Sequence, residues 1–507
     1  MTLPTKFKFK QFDNVGCPAA EDDEGYLLKC FVDTGVLAEL RNMTSARRIL
    51  LARSGVGKSA LLIQLKETEG KVITVKPESL ALTHISNSTI IPYLENLGVK
   101  LEVFFRFLWK HVFAVEVFRA HFKVGDEPAK LTFLQYIQNA LGVKKYKLAL
   151  DYINTYGGSF WEDTEYRIKE IVHRFESDIK AQLGAKAAGI GLSVAERDAL
   201  SQEERQEVVH KAQNVVNNIQ MRNLSHILDL LNDVITSPAQ RYFIVVDKLD
   251  ENWVEDRLRY KLIRALIECV REFNKVRHVK IIIALRYDLM QKVFRDTREA
   301  GYQEEKYEGL YLHMQWNKEQ LVEVLEKRIN HLIQMTYTKQ QVQCLDLFPK
   351  GPKKKEQFWI DYMLERTMMR PRDIILFFNE CIKLATDQQK LSADIIRTAE
   401  REYSRGRLRS IGDEWVEQYP YLVNFLLVLK SKTPTLTLGE MDHKEIEEFC
   451  FNRVYEVETD KGIDDLIGWA QQVTDAKLTA AEFMKQVAAV FYRVGAVGIK
   501  KKHTGPC

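Results

Sequence analysis

Residues 48–62 read Arg-Ile-Leu-Leu-Ala-Arg-Ser-Gly-Val-Gly-Lys-Ser-Ala-Leu-Leu. The apolar run Ile49–Leu51 predicts a short strand, and a helical pattern begins at Lys58. Ser54, Gly55, Val56, Gly57, Lys58 and Ser59 lie between or at the helix start. Few folds accept this string: a strand must end, the chain must curl tightly, and a helix must begin at once. Gly55 and Gly57 carry no Cβ, so backbone N–H groups can converge on phosphate oxygens. The N-terminus of the helix adds positive dipole. Lys58 can then reach terminal phosphates, and Ser59 can offer its hydroxyl to Mg2+. The loop is therefore expected to bind a nucleoside triphosphate; the alternative is a Gly-rich turn without a ligand. One departure stands out. The pattern is G-x-x-x-x-G-K-[ST], and its first glycine is Ala52 here, a residue that disfavours φ > 0.

A second motif lies far downstream. Residues 241–253 read Arg-Tyr-Phe-Ile-Val-Val-Asp-Lys-Leu-Asp-Glu-Asn-Trp. Phe243–Val246 is a continuous apolar run, as a strand buried on both faces requires. Asp247 closes it. On a strand beside the phosphate-loop strand, that carboxylate would hold Mg2+ through water. The position of a second acid, the base for an attacking water, is taken by Lys248, so Asp250 and Glu251 become the candidate bases. The alternative is a buried strand that happens to end in aspartate.

Two further segments extend the set. Lys280–Arg286 is again apolar and ends in a polar residue. Strand ends face the ligand crevice in open α/β sheets, so Arg286 is a candidate reader of the γ-phosphate, or else a surface arginine paired with Asp288. Residues 369–373 read Met-Arg-Pro-Arg-Asp. Proline suits a first helical position and Asp373 the first turn. Arg372, with Arg370 as second candidate, would sit near that helix start and reach back toward the triphosphate; a structural salt bridge is the alternative.

With these segments in this order the chain resembles a P-loop NTPase of the AAA+/STAND branch. It is similar to bacterial P-loop ATPases whose second motif reads D-x-L-D-x-x-W, matched by Asp247, Leu249, Asp250 and Trp253. KAP-type ATPases carry a related D-D-L-D string, from which Lys248 departs. Tyr403, Ser404, Arg407 and Asp413-Glu414-Trp415 resemble a segment that follows the helical lid in the bacterial group. The resemblance implies ATP and Mg2+ as cofactors. It implies Lys58 and Ser59 on phosphate and metal, Asp247 on Mg2+, Arg286 as a sensor and Arg372 as a lid sensor. It also implies nucleotide-driven homo-oligomers, many of them in bacterial anti-phage defence.

Composition bounds the rest. The chain has 507 residues, 46% hydrophobic and 28% charged, which suits a globular protein of two to four domains. A net charge of +4 does not by itself argue for nucleic acid. Seven widely spaced cysteines form no C-x-x-C pair, so reduced thiols in a cytoplasmic protein are the expectation. The N-terminal lysines precede no apolar core, unlike a signal peptide. No apolar run approaches a membrane span, so no membrane partner is expected; Leu101–Phe118, broken by charges, reads as a buried helix.

The predicted fold class is α/β: an ASCE-type P-loop parallel sheet with a large helical insertion, a helical lid and a C-terminal helical, winged-helix-like domain. Residues 1–30 form an arm laid on the core. Residues 31–100 and 237–316 form the nucleotide core, around an inserted helical subdomain at 101–236. Helices are predicted at 101–122, 131–140, 161–183 and 203–236, with a glycine-rich hinge at 184–192. Residues 317–411 form the lid and 412–507 the last domain, with helices at 414–430, 443–454, 463–473 and 480–493. A glycine-bearing strand would close the chain before Lys500–Lys502. The basic loop 349–355 is a solvated loop or a DNA contact.

Three function classes follow. The first is an ATPase that couples nucleotide state to oligomer assembly or to an effector protein, completed by an arginine from a neighbouring subunit such as Arg295 or Arg298. The second is a switch that binds ATP without hydrolysis, since Lys248 replaces the second acid. The third is an ATP-dependent DNA clamp.

Overall fold

Five short strands form one sheet in the computed structural model: β1 (Ile49–Ala52), β2 (Val72–Val75), β3 (Tyr242–Val246), β4 (Val279–Arg286) and β5 (Tyr311–His313). The structure describes residues 7–77, 90–122, 202–251, 253–297, 305–337, 341–352, 355–433, 435–456 and 464–498, with scattered positions between 135 and 181. All pairings are parallel and the order is β2-β3-β4-β1-β5. β3 is buried along its whole length and β4 along all but its last residue, which explains why β3 is apolar throughout and β4 apolar from Ile281 to Leu285.

The strand order corrects one expectation. β3, which leads into Asp247, is not the neighbour of β1; β4 lies between them. β4 is long enough to pair on both sides, so Val246, Ile283 and Ile49 share one row and Ala52 faces Arg286 in another. Both strands are apolar on both faces, and that pattern carries no information on which of them sits next to β1.

Chain contacts divide the molecule into two units, Phe31–Trp316 and Met1–Cys30 with Asn317–Cys507. In the first unit, helix α1 (Lys58–Thr68) follows the glycine-bearing loop after β1, with Leu61, Leu62 and Leu65 buried. Helix α2 (Glu102–Phe122) packs among α3 (Gln202–Val234) and α4 (Asp256–Glu272). Its apolar residues are buried on nearly every side, and Trp109 Nε1 donates to the Leu262 carbonyl at 2.9 Å. Two of the charges that interrupt it are neutralised: Arg106 lies 3.5 Å from Glu268 and 3.4 Å from Glu272, and Lys110 pairs with Glu272. Such pairing is the condition for burying charge.

The N-terminal arm belongs to the second unit rather than to the sheet unit. Its Lys-Phe alternation has the period of an extended chain. Phe7 and Phe9 are buried while Lys8 and Lys10 are exposed. Phe9 N–H donates to the Gln388 carbonyl at 3.0 Å, and Asp387 N–H donates back to Phe9 at 2.8 Å. Further on, the buried Asp23 pairs with the buried Arg328.

Beyond residue 317 the described chain is helical. Helix α5 (Lys318–Thr336) opens with a capping box between Asn317 and Gln320. Helices α6 (Phe358–Arg366), α7 (Pro371–Leu384) and α8 (Ala393–Trp415) follow. The helix expected at 414–430 is instead the end of α8 plus a short helix at Leu422–Leu426; Pro420 cannot continue a helix because it lacks the N–H. Hence the boundary placed at 411/412 falls inside α8. The last helices are α9 (His443–Tyr455), α10 (Asp465–Thr474) and α11 (Ala480–Val494). After α11, Gly495 takes a left-handed cap (φ 82°), and no strand follows among the described residues up to 498. The winged-helix-like strand is therefore not found there. Among the described residues no helix is long and apolar enough to cross a membrane. The hinge at 184–192, Arg298, Lys500–Lys502 and most of the helices expected at 131–140 and 161–183 lie outside the described residues.

Candidate functional site

Because the sheet is parallel, β1, β3 and β4 all end at the same edge, where open α/β sheets bind ligands. Three segments of the sequence meet there: the loop after β1, the turn after β3 and the last residue of β4.

The loop after β1 is built from its glycines. Gly55 (φ 77°) and Gly57 (φ 103°) both take left-handed backbone, and Gly57 is the N-cap of α1. L-residues pay steric cost there. Ala52 is not a difficulty: it is the last residue of β1, extended and paired with Arg286, so no positive φ is asked of it. Ser59 sits in the first turn of α1, and Lys58 leads that helix with its ammonium 3.4 Å from the carbonyls of Ala52 and Arg53. Burial holds the Lys58 ammonium below its ordinary range; Asp250 and then Asp247 oppose that shift by attraction. Arg286 and Asp288 act on it more weakly.

The turn after β3 is sharp. Lys248 has φ 62°, a left-handed conformation for a residue with a side chain, and its N–H donates to Asp247 Oδ1 at 2.9 Å. Leu249 and Trp253 are buried, and Trp253 Nε1 donates to the Leu249 carbonyl at 3.2 Å. These two apolar residues of the D-x-L-D-x-x-W string therefore anchor the turn from below, while Asp250 stays on its outer side. Lys248 reaches Glu251 at 3.1 Å.

Arg286 closes the site. Its Nε and Nη2 reach Asp288 at 3.1 Å and 2.8 Å, and its Nη1 reaches Asp250 at 3.2 Å. The sequence left Arg286 between a phosphate reader and a partner of Asp288. In the structure it is the partner of Asp288, and Asp250 shares it.

Arg372 lies on α7 in the other unit, and its Nε donates to the Pro18 carbonyl at 3.4 Å. Arg370 is buried beside Asp373 (4.0 Å), which Arg407 of α8 also meets at 3.1 Å. Asp373 is wholly buried. Arg370, Asp373 and Arg407 thus form a buried ion cluster between two helices, and burial pushes the phenol of Tyr403 up.

One contact was missed in the sequence. Trp316 Nε1 donates to the Val56 carbonyl of the loop at 2.8 Å. The signal lay in its place three residues after β5, a strand that pairs with β1.

A family model described as the FunZ-associated C-terminal helical domain matches residues 319–412, the stretch from α5 through α8. The chain is also similar to the "Putative transposon gamma-delta 80.3 kDa protein" of Escherichia coli strain K12, at 22% identity over 96% of this chain and 62% of that protein. The chain therefore spans less than two thirds of that relative's length.

Proposed function

We propose that this protein is a Mg2+-dependent ATPase whose nucleotide state controls assembly with its own copies or with an effector protein. One observation carries the reading: a loop with left-handed Gly55 and Gly57 opens α1 at the sheet edge where β3 runs out into Asp247 and β4 ends in Arg286.

The residues fit the cofactors. Ser59 and Asp247 supply hard oxygen ligands, which suit Mg2+ held by one carboxylate, water and substrate phosphate. Bound there, Mg2+ would neutralise charge on the terminal phosphates. The backbone N–H groups of 55–59 cradle the phosphates, and Lys58 turns from the carbonyls of Ala52 and Arg53 to the γ-phosphate. Asp250, released from Arg286, orients the attacking water, while Arg286 meets charge that develops on the γ-phosphate.

A second reading rests on Lys248. Its left-handed backbone and its ion pair with Glu251 occupy the place where a second acid would act. Under that reading ATP is held and hydrolysed little, and the protein works as a switch.

Calorimetry with MgATP on the wild type and Lys58→Ala tests the site: binding is expected in the first and lost in the second. Equal affinity in both, or none in the wild type, would sink the proposal. Phosphate release separates ATPase from switch. Because the relative is named for a transposon, duplex DNA is the first partner to add to that assay.

A further inference from the structure

We infer that Trp316 is a positioning residue of the phosphate loop: its indole N–H fixes the Val56–Gly57 peptide so that the Gly57 N–H faces the phosphates. The inference rests on the nucleotide-binding reading above and goes beyond it by assigning a role that neither loop nor metal motif contains.

The argument begins with peptide geometry. A trans peptide is planar, and its C=O and N–H point in opposite directions. The chain has no cis bond among the described residues. The Val56 carbonyl accepts the indole N–H of Trp316 at 2.8 Å. The N–H of the same peptide unit belongs to Gly57, so it points away from the indole. Holding the carbonyl on one side aims the donor to the other.

That control is needed at this peptide. Gly57 has φ 103°, and glycine samples either sign of φ with little preference. Without a tether, the plane on its N-terminal side can flip and turn a carbonyl toward the phosphates. A flipped carbonyl would repel anions where an N–H attracts them.

Trp316 is itself well held. Its ring is partly buried against the cluster that contains Val56, Leu61 and Met314. A Cβ built on Gly57 would lie 3.9 Å from Met314 Cε and 4.0 Å from Trp316 Cζ2, so both side chains line that flank of the loop. Leu51 accepts the Met314 N–H at 3.2 Å, which extends the β1–β5 pairing to the residues just before Trp316. Trp316 is also the last residue of its unit, directly before Asn317, the N-cap of α5.

The experiment compares wild type, Trp316→Phe and Lys58→Ala in the full chain, by MgADP and MgATP calorimetry, thermal melts and steady-state phosphate release. Phenylalanine keeps an aromatic ring and removes the N–H. The expected result for Trp316→Phe is an unchanged melting temperature and Kd and KM raised about three- to tenfold, the size of one lost hydrogen bond. Its kcat stays within about twofold, because the contact serves ground and transition states alike. Wild-type Kd and KM in a Trp316→Phe protein would overturn the inference while the site assignment stood, provided that Lys58→Ala still lost binding. Failure of the wild type to bind either nucleotide would overturn both. Should Trp316→Phe melt lower than the wild type, indole NMR of the wild type decides. A shift in one of its seven tryptophan N–H resonances on saturation with MgADP supports the tether, and seven unmoved resonances overturn it.

Discussion

Arg286 and Asp288 form a two-pronged ion pair at the end of β4, with Nε–Oδ1 at 3.1 Å and Nη2–Oδ2 at 2.8 Å. This is the geometry in which guanidinium and carboxylate match best. Asp250 takes a third nitrogen of the same guanidinium at 3.2 Å and is the more exposed of the two acids, 39% against 14%. Solvent-exposed pairs are weak, so of the two contacts the one with Asp250 is the easier to displace.

Arg286→Ala is therefore expected to lower phosphate release by about a hundredfold, the usual loss for one donor aimed at developing charge. Affinity for ATP should change far less. Turnover at saturating ATP measures this; an unchanged rate would return Arg286 to a structural role on the sheet edge.

Asp373 is expected to matter for stability rather than for chemistry. Its removal leaves Arg370 and Arg407, both nine-tenths buried or more, without their shared carboxylate. Asp373→Ala should cost about 3–5 kcal/mol, as breaking a buried pair from one side does. Urea unfolding provides the measurement. A loss below about 1 kcal/mol would mean that the arginines find water or other partners.

Lys280 gives a pH-dependent signature. Its side chain is wholly buried and donates to the carbonyls of Asn42 at 2.8 Å and Glu39 at 3.1 Å. Burial, helped by repulsion from Arg48 and opposed by Glu39, brings its pKa from 10.5 down to about 8. Between those values the unfolded chain binds more protons than the folded one, so stability rises with pH across that window. Below it both states are protonated and the burial penalty is constant. The unfolding free energy of wild type minus that of Lys280→Met should therefore climb from about pH 8 to about pH 10. A flat difference would show that the amine keeps its ordinary pKa.

Much of the candidate site can be read from residue order alone. Gly55, Gly57, Lys58 and Ser59 follow an apolar run directly, and local backbone demands then dictate strand, loop and helix start. Asp247 could be placed at a strand end for the same reason, because Tyr242–Val246 is apolar throughout. The alternation of Phe7 and Phe9 with lysines announced an extended arm, but not that it would join the unit of residues 317–507.

What the linear chain determined is local: which segments curl, which extend, which bury both faces, and where proline or glycine must break a helix. Only tertiary structure decided that β4 separates β3, which leads into Asp247, from β1, that Arg286 rests between Asp250 and Asp288, and that the Trp316 indole donates to Val56. The reason is physical. Backbone dihedrals and hydrophobic periodicity act over a few residues, whereas strand order and ion-pair choice depend on which distant surfaces pack together, and equally apolar strands carry no label saying which will be neighbours.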